Sequence, residues 1–301
     1  MLSVVSIVLR IVFENDFVSP PLSSKIIKFL IDSGRFLGFL KDLSLSRDKY
    51  KPLFVSNLFT VDGERIYSAA HGDSYSPRAL RLGEEYFSRV SFVAGQEILD
   101  KIVKEASSGR YEYDYGGVRI SLMLDVLSIE VVELDSLRID LSDKFMIRFI
   151  TPTILSPKIM MPPSLADKPR YKRIPVANLL LPVPGVVIAY SMKLWNNIAP
   201  PEKRFTYPND RDDLYIYKTS VLATIFTEVI DYRLRPETVI IGRDKEGNLR
   251  KSRGFKGFIT LKINHPRIRT IAEKTLALTK YLGIGRSRGI GLGETDIITN
   301  K

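Results

Sequence analysis

The segment GIGRSRGIGLGE, residues 283–294, restricts the fold of this chain more than any other stretch, because Gly283, Gly285, Gly289, Gly291 and Gly293 fall within eleven residues. Glycine tolerates positive φ and lets a backbone approach a neighbour or a ligand closely, so this density asks for a tight loop lined by backbone. Before it, Ile268, Ile271, Ala272, Thr275, Leu278 and Leu282 recur at helical spacing and predict a helix capped at Gly283. After it, residues 292–299 read as a strand. A dinucleotide-binding fold needs strand, glycines, helix; here the order is helix, glycines, strand, which excludes it. Gly242 and Gly247 do not form a P-loop either, since Asn248 and Leu249 stand where Lys and Ser or Thr are needed. A helix cap and a tight turn account for one or two of the five glycines. Arg286, Ser287 and Arg288 lie among them, and successive amides beside two guanidinium groups suit phosphate oxygens.

The rest of the pattern frames this tail. Residues 2–13 are rich in Val and Ile and read as a strand, after which Pro20, Pro21 and Ser23 or Ser24 introduce a helix to about residue 35. Its apolar face carries Leu22, Ile26, Ile27, Leu30 and Ile31, so Lys25, Lys28, Asp32 and Arg35 are expected to point away from the core. A basic loop over 41–51, strands over 53–60 and 84–94, a helix over 96–106 and one strand or a pair over 118–133 complete a βαββαβ order. The second half reads as a strand over 144–150, a Pro-containing connection and helices over 186–198 and 214–230. Strands over 238–241 and 255–263 then bracket a turn of Lys245, Glu246, Gly247 and Asn248. With 301 residues, the expectation is an α+β chain of two domains, 1–140 and 141–301, each a helix-backed antiparallel sheet.

Charge gives the second constraint. The net charge is +11, and residues 241–301 hold fourteen basic and five acidic side chains, so +9 of it lies in the last fifth, as a surface for a polyanion requires. The absence of cysteine excludes disulfides, thiolate metal sites and thiol nucleophiles, and suits a reducing cytoplasm. No membrane association is expected: residues 2–13 are too short and carry Arg10, and residues 179–190 are broken by Pro182 and Pro184.

Gly283, Gly285, Gly291 and Gly293 form a G-x-G-x5-G-x-G loop between a last helix and a last strand. In this the chain resembles the CRISPR-associated family six of the RAMP superfamily. The segments SSKIIKFL at 23–30, SRDKYKPLFVSNL at 46–58 and GNLRKSRGFKGFITLKI at 247–263 carry the resemblance along the chain and toward its crenarchaeal branch. The resemblance implies two tandem ferredoxin-like (RRM-like) domains, with CRISPR repeat RNA along their basic surface and one phosphodiester cut in each repeat. It leaves room for a homodimer and for hand-over of the product to a CRISPR effector complex. Two other readings stay open: a non-catalytic RAMP subunit that holds guide RNA with the same loop, and a general single-strand RNA-binding protein, which the lack of aromatic interleaving in an RNP-like strand disfavours.

RNA carries its own nucleophile, since the neighbouring 2'-OH attacks the phosphorus once held in line, so neither metal nor cofactor is expected. The sequence has no Cys, no His pair and no clustered carboxylates at ligand spacing. Relatives place a histidine before the strand that starts here at Leu53, but residues 36–51 contain none; the two histidines are His71, in a loop, and His265, before Pro266. Lys28 and Lys51 occupy the matching positions, with Lys25 one turn away and Arg250 in the basic hairpin as further charges. A slower, lysine-based enzyme is the expectation, because ammonium groups stabilise developing charge better than they accept protons. RNA binding is expected from Lys251, Arg253, Gly283, Gly285, Arg286, Ser287, Arg288, Gly291 and Gly293.

Overall fold

The computed structural model describes residues 2–72, 74–115, 117–207 and 212–299. β1 (Leu2–Phe13) is followed by α1 (Ser24–Asp32), a one-turn α2 (Lys41–Leu45), β2 (Leu53–Val55), β3 (Glu85–Gly95), α3 (Gln96–Glu105), β4 (Gly109–Tyr115) and β5 (Val118–Glu133). These strands form one sheet in the order β2-β3-β1-β5-β4. β1 lies between two partners, antiparallel to both β3 and β5, which is why its Val and Ile run is buried almost throughout. Ile26, Ile27, Leu30 and Ile31 of α1 pack with Val5, Ile7, Leu9 and Ile11 of β1, each fully buried side chain contributing ~1.5–3 kcal/mol of transfer free energy.

The second half repeats the plan. β6 (Phe145–Thr153), α4 (Pro184–Ile198), α5 (Asp212–Phe226), β7 (Thr227–Arg243), β8 (Leu249–Ile263), α6 (Pro266–Leu282) and β9 (Thr295–Thr299) give a sheet ordered β7-β8-β6-β9. In each half the first strand sits between the third and the last, the ferredoxin-like order, with β4 added at one edge of the first sheet. Val4, Phe54 and Leu134 pack with Leu194, Trp195, Leu278 and Leu282 across the two halves. A second shared cluster joins Leu22 and Tyr67 to Ile154, Val239 and Leu292. No helix among the described residues is long and apolar enough to cross a membrane.

Several elements depart from the sequence pattern. The helix expected over 214–230 ends at Phe226, because Thr227 to Val229 pair with Ile263 to Leu261 of β8, and pairing overrides local helix preference. The expected short strands at 238–241 and 255–263 are parts of a long hairpin, β7 with β8. The strand expected over 53–60 stops at Val55, and the one expected over 292–299 starts at Thr295. The helix expected to run to residue 35 ends at Asp32, where Ser33 and then Gly34, at φ 73°, turn the chain. The loop expected over 41–51 opens with α2; residues 118–133, read as one strand or a pair, form the single strand β5, and β4 before it was not expected.

Candidate functional site

The glycine loop is a latch between the two sheets. Gly291, at φ 81°, lies against the N-terminal half: a Cβ there would stand 2.5 Å from Asn57 Nδ2 and 2.7 Å from its backbone N. A Cβ on Gly293, at φ 71°, would collide with the Ile284 carbonyl, the partner strand of the loop itself. The Asn57 side-chain amide donates to the Gly291 carbonyl (2.9 Å), and its Oδ1 accepts from the Ser24 amide (3.3 Å) at the start of α1. Ser23 Oγ ties the same corner, donating to the Ile66 carbonyl (2.5 Å) and accepting from the Leu58 amide (2.8 Å).

This latch corrects the expectation of a phosphate cradle built from the whole loop. Gly283, Gly285, Gly291 and Gly293 are buried. The amides of Gly283, Ile284, Arg286, Ile290, Gly291, Leu292 and Gly293 donate to carbonyls within the protein. Among the described residues, that leaves at most the amides of Gly285, Ser287, Arg288 and Gly289 for a ligand. Arg288 is a second correction. Its side chain is only 4% exposed and donates to the Leu282 carbonyl (3.0 Å) and the Lys51 carbonyl (3.0 Å), so it braces the junction from inside. Burial pulls its guanidinium down to about 10, the cost of a charge held by carbonyls alone. Arg286 remains exposed, and among the described residues its side chain forms no hydrogen bond or ion pair. Ser287 is half-buried with a left-handed backbone, φ 63°.

Lys28 and Lys51 come together beside this loop. Lys28 Nζ donates to Ser44 Oγ (2.7 Å), and to both oxygens of Asp32 one turn on (2.9 and 2.8 Å). Lys51 Nζ donates to the carbonyls of Ser44 (2.5 Å) and Ser46 (3.1 Å). Ser44, in α2, is thus shared by two ammonium groups. The Lys51 stem passes Gly289, where an added Cβ would stand 3.3 Å from Cε, so the cluster abuts the free amides of the loop. Burial and then the charge of Lys28 lower the Lys51 pKa from the ordinary value. The α1 lysines lie off the buried apolar face of the helix, as expected, but both are half-buried and held by protein partners.

The other two expected catalytic cations diverge from this pair. Lys25 leaves α1 toward the hairpin, donating to the Ile241 carbonyl (2.9 Å), and burial and then the exposed Arg250 lower its pKa. Lys251 is exposed and donates to the Gly72 carbonyl (2.7 Å), and Arg253 joins Arg65, Arg78, Arg235 and Lys256 around a cleft of about 750 Å³. His265 sits at the start of α6, the glycine loop at its end, so the two are roughly 27 Å apart at 1.5 Å per residue. Its ring packs on Phe226 (centroids 5.3 Å), with Nδ1 buried and unpaired among the described residues. The His71 side chain lies outside the described residues. Among those residues, no three of His, Cys, Asp or Glu are grouped as a metal site.

Four participants escaped the sequence reading. Asp32 was legible as the i+4 partner of Lys28. Ser44, Asn57 and Glu294 had no pattern to mark them. Glu294, 2% exposed, takes a two-pronged contact from Arg65 (Nε and Nη2, both 2.7 Å) and lies 3.6 Å from Arg89 Nη2. Arg65 also stacks on Phe59 (4.0 Å) and Arg89 on Phe54 (5.3 Å).

Comparison with known proteins follows the same two halves. The family model of the Cas6 N-terminal domain matches residues 5–125, and that of CRISPR-associated endoribonuclease Cas6 matches residues 147–295. CRISPR-associated endoribonuclease Cas6 2 of Saccharolobus solfataricus is 36% identical over 284 residues, spanning 93% of this chain and 91% of that protein. Cas6 1 of the same organism is 34% identical with the same coverage. Thermus thermophilus Cas6 superposes with a TM-score of 0.59 at 14% identity, over 99% of each chain.

Proposed function

The chain belongs to the Cas6 family of CRISPR-associated endoribonucleases, in its crenarchaeal branch, and from that premise we propose that it cuts CRISPR repeat RNA with lysines and without metal. The observation that carries this reading is the convergence of the Lys28 and Lys51 ammonium groups on Ser44, beside the glycine loop. The 2'-OH next to the scissile bond attacks phosphorus in line, and its proton passes to water. Lys28 and Lys51 stabilise the charge that grows on the non-bridging oxygens. Lys51, whose ammonium is made more acidic by burial and by Lys28, gives a proton to the departing 5'-oxygen. The products are a 2',3'-cyclic phosphate and a 5'-OH.

On this reading residues 1–140 form the domain that carries the chemistry, and 141–301 the domain that grips RNA. Arg286 and the amides around Ser287 hold a phosphate beside the cut, and Lys25, Arg250, Lys251 and Arg253 track the strand along the hairpin. The Arg288 side chain and Gly283, Gly291 and Gly293 support the site without touching RNA. The RNA is single-stranded or weakly structured, and the setting is the cytoplasm. The deciding experiment incubates labelled cognate repeat transcript with the protein in EDTA and sizes the products. Cutting that needs Mg2+, or that survives replacement of the 2'-OH by hydrogen, defeats the mechanism. Tight binding with no cutting at all transfers the chain to the RNA-holding class.

A further inference from the structure

Beside the lysine pair lies a cavity of about 290 Å³, whose lining includes Tyr50, Tyr190, Met161, Lys49, Lys158 and Arg286. We propose that it seats one unstacked base of the RNA strand, next to the phosphate held at Lys28 and Lys51; this rests on the reading of that pair as the cutting site. Size is the first match, because a volume of about 290 Å³, at the lower end of the ~300–1,000 Å³ of small-ligand pockets, has room for a base. The walls set the chemistry. Tyr50 and Tyr190 bring their rings to 6.4 Å at 49°, from opposite halves of the molecule, and give a base an aromatic surface. The Tyr190 hydroxyl is already engaged, accepting from the Ser156 amide (3.0 Å). The Tyr50 hydroxyl has no hydrogen-bond partner among the described residues, and burial pushes its pKa up to about 12, so it stays a neutral phenol able to donate to or accept from a base edge.

Charge and position agree with a nucleotide. Lys49, Lys158, Lys193 and Arg286 line the cavity against Asp167 and Asp213, and the Arg286 guanidinium is unengaged among the described residues. Tyr50 and Lys51 are consecutive, so one turn sends an aromatic ring into the cavity and an ammonium to Ser44. Arg288, bonded to the Lys51 carbonyl (3.0 Å), fixes that turn against the loop that carries Arg286. A strand whose phosphate rests at Lys51 therefore has its neighbouring base at the cavity mouth, and seating that base pulls the backbone out of stacked geometry, which in-line attack requires.

The test pairs RNA lesions with cavity filling. Each nucleotide flanking the cut is made abasic in turn, and affinity and saturated single-turnover rate are measured for the native chain, Met161→Trp and Arg286→Ala. One abasic position lowers affinity or rate by about tenfold or more, the scale of one base–aromatic stack. Met161→Trp, which fills the cavity, reproduces that loss on intact RNA and adds less than twofold at the abasic position. Arg286→Ala, an exposed substitution that cannot unfold the core, couples to the same position. Independent, multiplying losses at every position, or full affinity and rate for Met161→Trp on intact RNA, overturn the pocket. A native chain that binds repeat RNA and never cuts it overturns the cleavage reading instead, and affinity alone then still reports on the pocket.

Discussion

Two groups of charged side chains flank the glycine loop, and they are built on different principles. On one side Arg65 and Arg89 of the N-terminal half close around Glu294 of the C-terminal half, buried and stacked on Phe59 and Phe54. One buried carboxylate there is shared by two guanidinium groups, and its desolvation is offset only while they are present. On the other side Lys28 and Lys51 converge on Ser44; Lys28 is also paired with Asp32 (2.8 Å), whereas Lys51 rests on the Ser44 and Ser46 carbonyls and has no carboxylate within ion-pair distance among the described residues. The first group joins the domains. The second leaves the Lys51 charge without a carboxylate, where a phosphate would supply the missing partner.

That contrast breaks most sharply at Arg65. Arg65→Ala strands a carboxylate that is 2% exposed and is expected to cost about 3–5 kcal/mol in urea unfolding, whereas Lys51→Ala stays within about 1 kcal/mol. Equal stability losses would erase the distinction. Next in size, Lys28→Ala and Lys51→Ala each lower the saturated cleavage rate by on the order of a hundredfold, with modest change in affinity. Rates within twofold of the native chain, together with abolition by His71→Ala or His265→Ala, would return the chemistry to histidine.

The loop between the groups sharpens the comparison further. Gly293→Ala is expected to cost about 2 kcal/mol, from its positive φ and its contact with the Ile284 carbonyl, while Gly289→Ala, meeting only the Lys51 side chain (3.3 Å), costs under about 0.5 kcal/mol. Thermal unfolding of the pair checks this. Arg286→Ala should lower the salt slope of RNA binding by about one, and Arg288→Ala should lower stability with the slope unchanged. Identical behaviour of the two arginines would put both on RNA or neither.

The smallest effect is on pH. Because the Lys51 pKa is lowered and the ammonium form is the active one, the saturated rate falls as pH rises through that value, below the ordinary lysine value of 10.5. Lys51→Arg moves this alkaline limb upward. An unmoved limb, measured against RNA without protein, assigns the titration elsewhere.

The sequence by itself determined the two βαββαβ halves, the helix before the glycines, the concentration of basic charge at the C-terminus and the family. The first three follow from short-range periodicity, glycine spacing and composition, and the family from the resemblance of local segments, all of which are written locally. It also supplied the residue types of the site, Lys25, Lys28, Lys51 and Arg250, but treated these four cations as one set. Only the tertiary structure divided them, because α1 sends Lys25 to Ile241 and Lys28 to Ser44, partners 216 and 16 residues away. Likewise a glycine reads the same in sequence whether it admits a phosphate or a neighbouring chain. At Gly291 the neighbour is Asn57, 234 residues distant, and the Arg288 charge turns inward to the Lys51 carbonyl, 237 residues distant. What binds outward and what braces inward is decided by which surfaces close on each other, and contacts of that separation leave no local pattern to read.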